Sequence, residues 1–91
     1  MKKIKLNEIE YELIDDNNGY DEAEVVSKAT DYFMPYDYII GDWAYGKLRL
    51  KGFCDKKNKI YKKENDINRK ESYLKENCAY GCKYFVLKKL K

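Results

Sequence analysis

The chain has 91 residues, 44% apolar and 38% charged, and its 19 Lys and Arg against 16 Asp and Glu leave a formal charge of +3. That length suits one domain, 1–91, with a single modest core, and the apolar share excludes an intrinsically disordered chain. The charge is too slight and too mixed for a nucleic-acid packaging protein, and the absence of His removes the commonest general base along with any Ser-His or Cys-His nucleophile pair.

Nothing approaches the roughly 18 consecutive apolar residues of a membrane span, and no apolar leader follows Met1-Lys2-Lys3. A cytoplasmic chain with no membrane role is expected. Its three cysteines are then free thiols by default.

Taken in order, Ile4, Leu6, Ile9, Tyr11 and Leu13 alternate as a first hairpin. With Asn7-Glu8 as the turn, Leu6 lies opposite Ile9 and Ile4 opposite Tyr11 on one face. Asp15–Gly19 then reads as a loop. Asp21 is a good helix N-cap, with Glu24 in the capping-box position. Val25, Val26, Ala29 and Phe33 recur at helical spacing, and Pro35 stops the helix.

The second hairpin is Tyr36–Cys54. Tyr38-Ile39-Ile40 suits a pleated surface, and Leu48 and Leu50 alternate with Lys47, Arg49, Lys51 and Phe53. A three-residue loop, Ala44-Tyr45-Gly46, with Gly in the left-handed bulge position, sets Trp43 against Lys47, Gly41 against Arg49 and Ile39 against Lys51. In that register Tyr38, Ile40, Leu48 and Leu50 face inward. Ile39, Trp43, Lys47, Arg49, Lys51 and Phe53 face outward. A slip of one residue in either strand would scramble the division.

The Lys-rich stretch 55–66, anchored only by Ile60-Tyr61, reads as a long mobile loop, with a short edge strand near Ile60 as the alternative. Asn68 caps a second helix whose buried stripe is Tyr73, Leu74 and Cys78, ending at Gly81. Lys83–Leu90 is the last strand, with Phe85 and Leu87 on one face and Tyr84, Val86 and Lys88 on the other. The order β-β-α-β-β-α-β predicts an α+β fold with a mostly antiparallel sheet and two helices on one face. Without its first strand it has the split βαβ arrangement of ferredoxin-like folds.

Two segments carry a resemblance. Tyr36-Asp-Tyr-Ile-Ile-Gly-Asp-Trp-Ala-Tyr-Gly-Lys-Leu-Arg-Leu-Lys-Gly-Phe53 and Tyr73-Leu-Lys-Glu-Asn-Cys-Ala-Tyr-Gly-Cys-Lys-Tyr-Phe-Val-Leu-Lys-Lys89 resemble the YutD-like family of small Gram-positive bacterial proteins. The resemblance covers roughly the last two-thirds of the chain. It implies a cytoplasmic bacterial protein and no activity.

The residues point away from catalysis. Ser27 and Ser72 fall on helices, no Gly-rich phosphate loop of standard spacing occurs, and Asp42 beside Trp43 is better read as a turn residue bonding backbone amides. Cys54, Cys78 and Cys82 make an incomplete zinc set. The four-residue step from Cys78 to Cys82 is not the usual redox spacing. Cys54 and Cys78 read as small buried apolar residues, while the resemblance gives Cys82 somewhat more weight. No cofactor or metal is expected.

A contact surface is easier to find. Trp43, Tyr45 and Phe53 beside Lys47, Arg49 and Lys51 supply the stacking platforms and cations that single-stranded nucleic acid uses. The bland alternative is a solvated basic face, with Trp43 folded over the turn or covered by the Lys-rich loop. The rival function is a protein partner, through the same face, an exposed edge strand or a weak homodimer pairing at Tyr84, Val86 and Leu90. A non-catalytic binding module, monomeric or weakly dimeric, is the resulting expectation.

Overall fold

Alternating apolar residues build the first hairpin as expected. A computed structural model describes residues 2–6, 8–77 and 83–90. Strands β1 (Lys2–Leu6) and β2 (Ile9–Asn17) pair antiparallel, with Leu6 opposite Ile9 and Ile4 opposite Tyr11. Glu8 takes the left-handed conformation, φ 66°, that so tight a turn demands. Asn7 lies outside the described residues.

Asp21 accepts a hydrogen bond from the Glu24 N–H at 3.2 Å and starts α1 (Glu22–Lys28). The helix is shorter than its apolar stripe predicts. It ends at Ala29, Thr30 is extended, and one 3-10 turn at Asp31–Phe33 leads to Pro35. Two successive β-branched valines, Ser27 and Thr30 are all weak helix formers. Val25 and Ala29 are therefore buried while Val26 stands 59% exposed.

The second hairpin departs from expectation by one residue. β3 (Tyr38–Ala44) and β4 (Lys47–Phe53) are joined by Tyr45-Gly46 alone, with φ of 53° and 73°. Positive φ at both central residues is the type I′ geometry, whose twist matches that of the strands. Ala44 thus pairs with Lys47, Trp43 with Leu48, Asp42 with Arg49 and Ile39 with Gly52. The slip turns every β3 side chain to the other face relative to β4. Ile39 and Trp43 share the face of Leu48 and Leu50, while Ile40 joins that of Phe53.

β5 (Tyr84–Lys89) enters the middle of the sheet, giving the order β1-β2-β5-β3-β4 with every pairing antiparallel. β2 and β3 consequently run parallel with β5 between them, and β4 and β5 run parallel with β3 between them. The α+β class and the antiparallel sheet are as the sequence predicts. The placement of the helices is not.

Phe85, Val86 and Leu87 are all fully buried, so the central strand is covered on both sides. Phe85 and Leu87 pack with Ile39, Leu48, Tyr11 and Leu13 under Val25 and Ala29 of α1. Val86 packs with Ile40 and Phe53 on the other side, under Ile67 and the residues Tyr73 and Leu74 of α2 (Lys70–Asn77). The two helices lie on opposite faces, and neither face is open. Asp66, not Asn68, caps the approach to α2, accepting from the Asn68 N–H at 2.9 Å ahead of a 3-10 turn at Ile67–Arg69.

The stretch 55–66 forms no strand and is not free of the body. The Cys54 N–H donates to the Asn65 carbonyl at 2.7 Å, and the Ile67 N–H donates to the Cys54 carbonyl at 3.0 Å. Asn58 Nδ2 reaches the Pro35 carbonyl and Asp37, and Tyr61 donates to Asp66 at 2.8 Å. Buried Asn65 holds the interior of the loop, its Oδ1 accepting from the Lys62 N–H at 2.8 Å and its Nδ2 donating to the Ile60 carbonyl. Among the described residues no helix is long and apolar enough to cross a membrane.

Candidate functional site

The expected outward surface of the second hairpin is divided by the register. Trp43 lies on the α1 side, half-buried, and its indole N–H donates to the Gly19 carbonyl at 2.7 Å. Phe53 is wholly buried against Tyr73, their ring centroids 5.4 Å apart and nearly perpendicular. Tyr45 stands fully exposed at the tip of the turn. Lys47, Arg49, Lys51 and Phe53 keep the expected common face, but α2 covers Phe53 and leaves only the three cations at the surface. Of these, Arg49 is tied to Asp42, and the Lys51 Nζ sits 5.5 Å from the centroid of the Phe53 ring. The structure does not bring the six residues together as one aromatic and basic platform.

Asp42 is no turn residue. It is a fully buried strand residue that accepts from Arg49 and from the Tyr73 hydroxyl, the latter at 3.2 Å. Burial, then the neighbouring carboxylate, pushes the Tyr73 phenol up to about 12. A phenol held protonated in this way is a structural strut. The weak-homodimer expectation at Tyr84, Val86 and Leu90 is also overturned. Val86 is buried in an interior strand, the Tyr84 hydroxyl donates to Asp15, and the Leu90 N–H is bonded to the Glu10 carbonyl.

Cys54 is buried, as read from the sequence, and burial raises its thiol above the ordinary value. Cys78 and Cys82 lie outside the described residues. Among the described residues no group of three or more His, Cys, Asp and Glu side chains is placed to hold a metal.

The concave surface lies elsewhere, between the 3-10 segment that follows α1 and the 55–66 loop. One hollow of about 680 Å³ is lined by Tyr32, Pro35, Tyr36, Ile60 and Tyr61, with Asp31, Lys59, Lys62 and Asn65 at its margins. A second, of about 470 Å³, shares Tyr32, Tyr36, Lys62 and Asn65 and continues over Arg49, Leu50, Lys51 and Gly52 of β4. Together they form one cleft with an aromatic wall and a mixed rim, Lys51, Lys59, Lys62 and the Asp42-paired Arg49 standing against Asp31 and Glu64.

Tyr36 is fixed where the hollows meet. A side chain on Gly52 would begin 2.3 Å from its ring, so the strand must present Gly there. A hydrogen bond with Tyr32, then burial, raises the Tyr36 phenol to about 12. Tyr32 is 68% exposed and Ile60 36%, an uncommon amount of apolar surface around a concavity. The aromatic cluster from Tyr32 to Tyr36 around Pro35 was the sequence signal for this wall, hidden because the segment reads as the end of a longer helix.

Comparison with known proteins agrees with this architecture. The family model described as "Putative antitoxin YutD-like" matches residues 5–88. "Putative antitoxin YutD" of Bacillus subtilis (strain 168) is 40% identical over 89 residues, spanning 97% of this chain and 98% of its own. The solution NMR structure of the yutD protein of B. subtilis superposes with a TM-score of 0.82 at 39% identity, covering 100% of this chain and 84% of that one.

Proposed function

The chain belongs to the YutD-like family, and we propose that it works by binding and not by catalysis, taking a protein partner into the tyrosine-lined cleft. One observation carries the reading. Exposed Tyr32 and Ile60, with Pro35 and Tyr36, line a hollow wide enough for side chains of another protein and rimmed by Lys59 and Lys62. Exposed aromatic anchors in a concavity are the usual centre of protein interfaces. The name antitoxin, applied to this chain, makes the partner a toxin that the complex silences. This reading places the chain in the cytoplasm.

The test is affinity capture with the parent chain and with a Tyr32→Ala/Ile60→Ala variant, at low and at high salt. The parent is expected to retain a protein that the variant loses. Retention should survive high salt, since an aromatic contact is screened little. Equal capture by both chains, or capture abolished by salt alone, refutes the reading.

A second reading keeps single-stranded nucleic acid, through Lys47, Arg49 and Lys51 with Tyr45 at the tip. What favours it is that the three cations share one face of an edge strand. Trp43 and Phe53 have no part in it. Anisotropy of a labelled RNA or DNA strand tests this, with affinity expected to fall steeply with salt and on Lys47→Glu/Lys51→Glu substitution.

A further inference from the structure

The hollow of about 680 Å³ has the size of a ligand site, and its hydrogen-bonding groups are unevenly used. Its acceptors are largely taken. The Pro35 carbonyl accepts from Asn58 Nδ2 at 2.9 Å, the Ile60 carbonyl from Asn65 Nδ2 at 3.3 Å and the Lys62 carbonyl from the Asn65 N–H at 3.0 Å. Asn65 Oδ1 accepts from the Lys62 N–H. Asp31, the one carboxylate lining this hollow, is already engaged within the chain. Glu64 lines the neighbouring hollow and not this one.

Donors remain. Tyr32 and Tyr36 share one hydroxyl–hydroxyl bond, their ring centroids 5.8 Å apart and tilted by 48°. That bond raises the Tyr36 phenol, so Tyr36 is the donor and the exposed Tyr32 hydroxyl keeps its own proton. Lys59 and Lys62 are exposed and make no ion pair among the described residues. Between these donors lie the Tyr32 ring, exposed Pro35 and exposed Ile60. A peptide laid here can give its carbonyls to the donors but finds little to accept its N–H groups, and every N–H buried without an acceptor weakens binding.

We infer that this hollow takes a proline-rich, extended segment of the partner protein, with an acidic residue beside its prolines. The inference rests on the protein-binding reading above and names the partner's chemistry. Proline lacks the backbone N–H that the hollow cannot satisfy, keeps the carbonyl that the Tyr32 hydroxyl can bond, and lays an apolar ring on the tyrosine wall. A proline-rich segment also holds the polyproline II form before it binds, so little freedom is lost in docking. Charge sets the flank. Lys59 and Lys62 are the unpaired charges on this hollow, so glutamate or aspartate next to the prolines is favoured over lysine. A second copy of the chain does not fit, because its one proline, Pro35, is part of the wall.

The experiment titrates the isotope-labelled chain with three blocked peptides and follows the Tyr32, Ile60 and Tyr61 signals by NMR. One peptide repeats Pro-Pro-Glu, the second has alanine for every proline, and the third has lysine for every glutamate. The proline–glutamate peptide is expected to shift these signals and to bind about tenfold more tightly than either control. Tyr32→Phe, which keeps the ring and removes the hydroxyl, should weaken it about threefold to tenfold with the circular dichroism intact. Equal response to the proline and alanine peptides, equal response to the glutamate and lysine peptides, undiminished binding by Tyr32→Phe, or no response at millimolar peptide overturns the inference. Capture through Tyr32 and Ile60 decides the wider protein-binding reading separately. A protein held by the parent and lost by the Tyr32→Ala/Ile60→Ala variant, with no response to the proline peptides, leaves that reading standing and removes this one.

Discussion

Asp42 and Arg49 stand directly opposite each other across the β3–β4 ladder, and the guanidinium closes on the carboxylate. The two are unequal partners. The Asp42 side chain is fully buried, while 45% of the Arg49 side chain remains exposed. Removing Arg49 strands a charge in the interior, whereas neutralising Asp42 lets the arginine turn to water. Arg49→Met should therefore cost about 2–3 kcal/mol, a fall in Tm of about 10–20 °C for a chain this size. Asp42→Asn should cost roughly half as much. Thermal unfolding of both single variants and the double variant measures the asymmetry.

Two glycines should respond to Ala for different reasons. Gly41 pairs with Phe85, and a Cβ there would begin 2.2 Å from the phenyl ring in a core with no slack. Gly41→Ala is expected to cost about 2–3 kcal/mol by overpacking. Gly46 has open space around it but sits at φ +73°, so Gly46→Ala should cost only about 1 kcal/mol, from backbone strain. Denaturant midpoints for the two variants give the comparison.

The pH dependence has two limbs of opposite sign. Tyr36 and Tyr73 are both raised to about 12 from the ordinary phenol value of 10.0. A raised folded value means the folded state keeps its proton longer. This contribution is complete below pH 10 and is lost as pH climbs from 10 through about 12. Asp66 is lowered, first by the Asn68 N–H and then by the Tyr61 hydroxyl. Its contribution is present above the ordinary value of 3.8 and fades as pH falls below it. Tyrosinate absorbance should show late-ionising phenols that Tyr36→Phe and Tyr73→Phe each reduce. The stability of Asp66→Asn should be flatter than the parent's in acid.

Cys54 should be invisible to thiol reagents in the folded chain. It is buried, and its raised thiol supplies little thiolate. A Cys54→Ser variant is expected to consume as much reagent under native conditions as the parent, and less than the parent once both are denatured. Rapid native labelling at Cys54 would contradict the packing around it.

Much of the fold was legible because period-two alternation survives in single strands. Ile4, Leu6, Tyr11 and Leu13 predict both the first hairpin and its register. Lys47, Arg49 and Lys51 do share a face, as their spacing says. What could not be read was the phase of β3 against β4. Tyr38-Ile39-Ile40 is apolar on both faces of its strand, so hydrophobicity could not choose between two turn lengths differing by one residue. The indole of Trp43 moved to the other side with that choice. The opposite placement of the helices had a trace in Phe85-Val86-Leu87, a continuous apolar run of the kind that marks a strand covered on both faces. The cleft was the least legible part. Its wall combines the end of one segment with a loop held by Asn58 and Asn65, and no local pattern announces side-chain amides bonding distant backbone.

The position of β5 bears on how this protein comes into being. The described strand that leaves the ribosome last is the one flanked by β2 and β3. Until it arrives, the earlier strands are two hairpins with nothing to join them, each presenting a bare flank to other chains. The sheet cannot close until β5 has emerged, so a nascent chain that stops short of it is exposed to clumping.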